Sequence, residues 1–293
     1  MRYHVCHLTT YDYDASVSLS QHQMRLQPRS NWRQKFCNYN LAIEPNPRDI
    51  HEYTDYFGNP TLFVTVEGSH ARLQVRSEFD VDLLNSPELI AKETPSWEIV
   101  RDRSRGVQIG VGLEANEFLF DSPLLKAGDD FADYARPSFP KGRPILEAAL
   151  DLTARIHHDF TFDPTATDVT TPILQVLKQK RGVCQDFAHL QIVCLRSLGL
   201  PARYVSGYIN TIPPPGKTKL AGADASHAWI SIWCDAVGWI DLDPTNNVIP
   251  NREHITIGWG RDFSDLSPIR GVTLGSSSHS LRVAVDVATH TDI

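Results

Sequence analysis

Residues 171–208, TPILQVLKQKRGVCQDFAHLQIVCLRSLGLPARYVSGY, hold a helix, a stop, a second helix and the opening of a strand, and reading them decides the fold. Thr171 stands as an N-cap with Pro172 at the first helical position, which predicts a short helix through Lys180, ended by Arg181-Gly182. From Cys184 onward, Phe187, Leu190, Cys194 and Leu198 recur on one helical face, and Gly199 followed by Pro201 stops the pattern. Cys184 therefore opens an amphipathic helix, off its apolar stripe.

Downstream the period changes to two. ARYVSGYI (202–209), HAWISIWC (227–234) and GWIDLD (238–243) read as strands, with a turn over Asp235–Gly238. His227 falls at the start of one arm of a hairpin and Asp243 at the end of the other, and adjacent antiparallel strands bring such ends within side-chain reach. Upstream, Pro144 followed by Ile145, Leu146, Ala149, Leu152 and Ile156 predicts a helix over 144–158. From Tyr3 to Leu84 apolar and polar residues alternate as in antiparallel sheet, and in TLFVTVEGSHARLQVRSEF (61–79) the run Glu67-Gly68-Ser69-His70 predicts a hairpin turn with Gly68 supplying a positive φ. The expectation is an α+β chain: an antiparallel β domain over 1–85, a proline-punctuated connector with local helices over 86–140, and a core of helices on an antiparallel sheet, with C-terminal strands, over 141–293.

A thiol, an imidazole and a carboxylate thus occur in order as Cys184, His227 and Asp243, the residue types of a nucleophile, its base and the group that orients the base. A helix N-terminus and a neighbouring imidazolium both favour a thiolate, and the Cys184 N–H at the helix start is a natural donor to an oxyanion. Gln179 and Gln185 are close enough in sequence to be considered as a second donor, and neither is assigned. Cys6, Cys37, Cys194 and Cys234 read as small buried hydrophobes. His157, His158 and His189 read as structural or exposed, Asp186 as a first-turn acid complementing the helix dipole, and Trp229, Trp233 and Trp239 as core or pocket wall.

The net charge of -7, with dispersed lysines and arginines, argues against a nucleic-acid partner. An odd number of cysteines, five, without a CxxC pair fits a reducing compartment better than a disulfide framework or a structural zinc. MRYHVCHLTT does not read as a signal peptide and no run of about 18 apolar residues occurs, so the expectation is a cytoplasmic protein with no membrane partner and no cofactor. Two other readings are an inactive scaffold whose β domain binds protein, and a zinc site on Cys184, His227 and Asp243, which lacks a fourth ligand at a helpful spacing.

The stretch 171–208, SHAW (226–229) and GWIDLDPTNN (238–247) together resemble the bacterial transglutaminase-like superfamily, whose core is papain-like. HLTTYDYDASVSLSQHQMRLQPR (7–29) and DYFGNP (55–60) resemble the N-terminal β-sandwich region that accompanies bacterial members, and GRDFSDLSPIRGV (260–272) with HSLRVAVDV (279–287) resembles their C-terminal strands. The resemblance implies Cys184 as nucleophile, His227 as base and Asp243 as orienter, acting on a peptide or protein substrate. Members include amide cross-linkers, peptidases and amidases, all passing through a thioester, and fold alone does not choose the acceptor. The expectation here is a peptidase or amidase, with the N-terminal domain restricting access or capturing an extended peptide along a sheet edge.

Overall fold

The structure, a computed structural model, describes residues 1–106, 113–210 and 226–289. Alternating apolar residues build a first sheet from β1 (Arg2–Met24), β2 (Gln34–Glu44), β3 (Asp49–Thr54) and β4 (Pro60–Leu83). β1 and β4 pair antiparallel along almost their whole lengths and break register where Val17 faces His70 and Leu19 faces Glu67. The segment 67–70 is therefore a bulge inside one long strand, not the hairpin turn its sequence predicts. Both halves of β4 pair with the same neighbour, which two arms of a hairpin could not do. Gly68 does take a positive φ, 98°, and the bend carries Val64 and Val66 from one half and Leu73 and Val75 from the other into one core.

The connector supplies α1 (Trp97–Arg105), α2 (Leu113–Asn116) and α3 (Asp129–Ala135); its residues 107–112 lie outside the described residues. Val100, Leu125, Phe131 and Ala135 join the core of the following domain, so the segment is not a spacer. Next come α4 (Ile145–Asp159), β5 (Thr161–Phe162), α5 (Ile173–Gln179), β6 (Arg181–Gly182) and α6 (Cys184–Ser197). Helix α5 starts one residue later than Thr171-Pro172 suggests, because the Thr171 hydroxyl accepts the Asp168 N–H instead of capping. It ends on Lys180, which takes a left-handed conformation (φ 58°) before the chain pairs with β5.

The second sheet has the order β10-β7-β8-β9, from β7 (Ala202–Ile209), β8 (Ser226–Cys234), β9 (Gly238–Leu242) and β10 (His254–Gly260). Ala228, Ile230, Ile232, Ile240 and Leu242 on one face close over Phe187, Leu190 and Cys194 of α6, which places α6 against the sheet. The chain then passes through α7 (Phe263–Leu266) into β11 (Ile269–Leu274) and β12 (His279–Thr289). These C-terminal strands do not extend the core that precedes them. They return to pair with the two halves of β1 and complete the six-stranded first sheet.

The two sheets meet in an apolar contact. Tyr3, Val5, Phe79, Val81, Val285 and Val287 pack with Tyr208, Ile255 and Ile257. The outer edge of β10 is covered by side-chain amides from the N-terminal domain. Gln34 donates to Thr256 O at 2.7 Å and accepts the Thr256 N–H at 2.8 Å. Asn59 donates to Trp259 O at 2.9 Å and accepts the Trp259 N–H at 3.1 Å. Two amides thus do at Thr256 and Trp259 what a neighbouring strand would do.

Candidate active site

Register explains how β8 and β9 bring His227 and Asp243 together. Ile230 pairs with Leu242, so the next step places Asp243 opposite Trp229, two residues from His227 on the same face. Diagonal neighbours of this kind stand about 7 to 8 Å apart at the backbone, within reach of an imidazole and a carboxylate. His227 Nε2 lies 2.7 Å from Asp243 Oδ2. With Nε2 on the carboxylate, Nδ1 is the ring nitrogen left for the Cys184 thiol, whose hydrogen bond contributes to the electrostatics of the ring.

Cys184 is half-buried at the first position of α6. The turn before it is held by Asp186, whose Oδ2 accepts the Val183 N–H at 2.8 Å and the Thr167 hydroxyl at 2.6 Å. Gly182 has to be glycine for this, since a Cβ there would lie 2.5 Å from Asp186 Oδ2. Asp186 is thus a buried brace of the helix start, and burial pushes its carboxyl up. Gln179 is exposed, and Gln185 is half-buried on the first turn.

Asp243 is fully buried, and its two oxygens accept five donors. Oδ1 takes the backbone N–H groups of Thr245 and Asn246 at 2.9 and 3.2 Å. Oδ2 takes His227 Nε2, Asn246 Nδ2 at 2.7 Å and His254 Nε2 at 2.9 Å. Burial alone would raise this carboxyl, but the bonds from His227, His254 and Asn246 hold it well below the usual carboxylate range. Burial likewise opposes charge on His227, yet its bonds to Asp243 and Cys184 prevail and push the imidazole up to about 10. The charged imidazolium is the favoured form.

Asn246 and His254 are the site residues that sequence reasoning missed. Asn246 sits inside the DPTNN run, one residue past the Asx turn that Asp243 makes with the Thr245 N–H, a turn signal that could have marked it. His254 opens β10 with no local signal. His157 adds a further tie, its Nδ1 lying 2.9 Å from Thr245 O and so bracing the turn that carries Asp243. His189 is buried and its Nε2 accepts the Phe263 N–H at 3.1 Å. Of the cysteines read as buried, Cys194 and Cys234 are, while Cys6 is half-buried and Cys37 is exposed, because strand β2 bulges between Cys37 and Asn40 near the sheet edge.

His227, Asp243 and His254 offer three ligand atoms within 4.8 Å of one another. The His–Asp contacts of 2.7 and 2.9 Å are hydrogen-bond lengths, whereas ligands around a tetrahedral zinc stand about 3.4 Å apart. The cluster is organised as a carboxylate receiving donors.

Residues 3–82 match the family model described as the bacterial transglutaminase-like N-terminal region, and residues 133–244, spanning Cys184, His227 and Asp243, match that of the transglutaminase-like superfamily. An uncharacterized protein of Mycobacterium tuberculosis is 38% identical over 294 residues, covering 98% of this chain and 92% of that one. The chain belongs to the transglutaminase-like superfamily. A protein-glutamine gamma-glutamyltransferase of Pseudomonas aeruginosa is 30% identical over 150 residues, 47% of this chain and 22% of its own. Among solved structures, a candidate cysteine protease from Cytophaga hutchinsonii superimposes with a TM-score of 0.76 over 99% of this chain and 91% of that one, at 20% identity, a likeness of fold. Among the described residues, no helix is long and apolar enough to cross a membrane.

Proposed function

We propose that this superfamily member is a cysteine-dependent amide hydrolase, a peptidase or amidase acting through a thioester on Cys184. The observation that carries the reading is Cys184 at the mouth of α6 acting on His227, whose ring is in turn hydrogen-bonded to the buried, five-donor carboxylate of Asp243. The thiolate adds to the amide carbonyl and forms the S–C bond, while the Cys184 N–H at the helix start donates to the oxyanion. The C–N bond breaks as the His227 imidazolium gives its proton to the departing amine. Water then attacks the thioester with His227 taking its proton, and the C–S bond breaks to return the thiolate. Asp243 keeps the ring in one tautomer and orientation throughout. The substrate is a peptide or protein, and five free cysteines support a reducing, cytoplasmic setting.

The second reading is transamidation, favoured by the gamma-glutamyltransferase relative; there a lysine amine replaces water at the thioester. A peptide library incubated with wild type and with Cys184→Ala, read by mass spectrometry, tests both. Cleavage products that vanish in the variant support hydrolysis, and cross-linked peptides that vanish support transamidation. Identical product sets from the two proteins would remove Cys184 from the chemistry.

A further inference from the structure

A second site lies between the second sheet and the loops that follow β1, β3 and β4, away from the residues just described. A cleft of about 1250 Å³ is lined by Arg29, Trp32, Arg203, Trp233, Trp239 and Trp259, among others, and by none of Cys184, His227 and Asp243. Gly207 of β7 pairs with His227, and Arg203 lies four residues back along the same strand, about 13 Å away at strand rise.

Arg203 is the unusual group here. It is only 9% exposed, and its Nε has no hydrogen-bond partner among the described residues. Its neighbours in the cleft are otherwise engaged. Arg29 Nη1 donates to Phe57 O at 2.6 Å and Asn59 Oδ1 at 2.9 Å. Arg33 Nη1 donates to Pro250 O at 2.6 Å and Ser86 Oγ at 3.2 Å, and Arg33 Nη2 lies 3.9 Å from Asp241. Asp241 also accepts the Ser231 hydroxyl. The remaining carboxylates of the lining, Glu88, Glu114 and Glu117, are exposed in the first two cases and half-buried in the third.

The guanidinium carbon of Arg203 stands 4.3 Å from the ring centre of Trp239 and 4.0 Å from that of Trp259, which also carries Arg29 at 3.5 Å. Indoles take up guanidinium faces and leave the in-plane N–H edge unused. That edge is a fork matched to a carboxylate; Asp241 and Glu114 stand near enough to favour the charge, but neither bonds the buried Nε, which stays open to such a partner. Indole walls around it suit a flat apolar body.

We propose that this cleft binds a small organic carboxylate carried on a flat apolar body, with the carboxylate on Arg203 and the body against the tryptophans. Binding needs nothing from Cys184, so it stands or falls apart from the catalytic reading. Titration calorimetry with indole-3-acetate and its neutral analogue indole-3-acetamide tests it on the wild-type chain. The acid should bind, with the amide roughly tenfold or more weaker, as expected for losing a charge-assisted bond. Arg203→Gln should abolish the preference for the acid, and Arg203→Lys, the variant to use if the glutamine form does not fold, should weaken it by keeping charge without the fork. Equal affinities for acid and amide, no binding of either, or an Arg203→Lys protein that binds the acid as wild type does would overturn the proposal.

Discussion

His254 Nε2 lies 2.9 Å from Asp243 Oδ2 although β7 and β8 separate their strands in the sheet. The contact is possible because β7 carries Gly207 at the crossing, level with His227. The ring of Trp229 stacks 6.0 Å from that of His227 and stands edge-on 5.2 Å from that of His254. The carboxylate is therefore held from both sides, by the proposed base and by a second imidazole. Replacing His254 by Phe keeps the ring and deletes the donor. Steady-state kinetics should show kcat lower by about tenfold to a hundredfold, the worth of one bond to a charged group, with KM little changed. An unchanged kcat would mean that Asp243 needs no second imidazole.

Asp243→Asn keeps the size of the side chain and removes the acceptor that selects the His227 tautomer. Activity should fall by about a hundredfold or more while the melting temperature moves far less than the rate. Loss of fold without a soluble, melting protein would instead assign Asp243 to structure.

The charge on His227 should persist through neutral pH. Its folded value, about 10, lies above the ordinary 6.5, so the stability it contributes is whole below 6.5 and is lost as pH rises through about 10. Histidine-selective NMR should find an imidazolium at pH 8, and Cys184→Ala should move its midpoint down because the thiol bond is gone. A midpoint near 6.5 in the wild-type protein would contradict the pairing.

Gly207→Ala should be costly. The new Cβ would lie 2.0 Å from Ile255 O and 2.6 Å from the Trp229 ring, so backbone has to shift beneath the site. A loss of about 2 to 4 kcal/mol is expected from overpacking of this kind, read in a denaturant melt. A melt superimposable on wild type would show that β7 and β10 yield easily there.

His7 governs an acid limb at the contact between the sheets. Its Nδ1 lies 2.7 Å from the Tyr208 hydroxyl and its Nε2 lies 2.7 Å from Thr9 Oγ1, and burial pushes it down to about 4. Being neutral when folded, it contributes stability that is whole above 6.5 and drains away as pH falls towards about 4. The effect is worth at most about 3 kcal/mol. His22 and His189, held down by burial in the same way, act over the same range. Melting temperatures of His7→Gln between pH 7 and 4 should follow a shallower slope than wild type; a parallel curve would exclude the assignment.

Much was legible in the chain wherever the signal is local. The 3.6-residue period, the stop at Gly199 and the start after Gly182 placed Cys184 at a helix mouth, and period-two runs placed His227 and Asp243 on a hairpin. Such patterns need only a few neighbouring residues. The bulge at Gly68 is not legible for the opposite reason: a glycine with positive φ looks alike in a turn and in a bulge, and only the strand that runs alongside distinguishes them.

What the sequence by itself determined is the order and local setting of thiol, imidazole and carboxylate, since helix caps and strand alternation are properties of consecutive residues. What only the tertiary structure decided is who surrounds them. His254 meets Asp243, Gln34 and Asn59 clasp β10, β11 and β12 close the first sheet, and Arg203 comes to lie among tryptophans. Each of these follows from strand pairings between distant parts of the chain, which no local periodicity encodes.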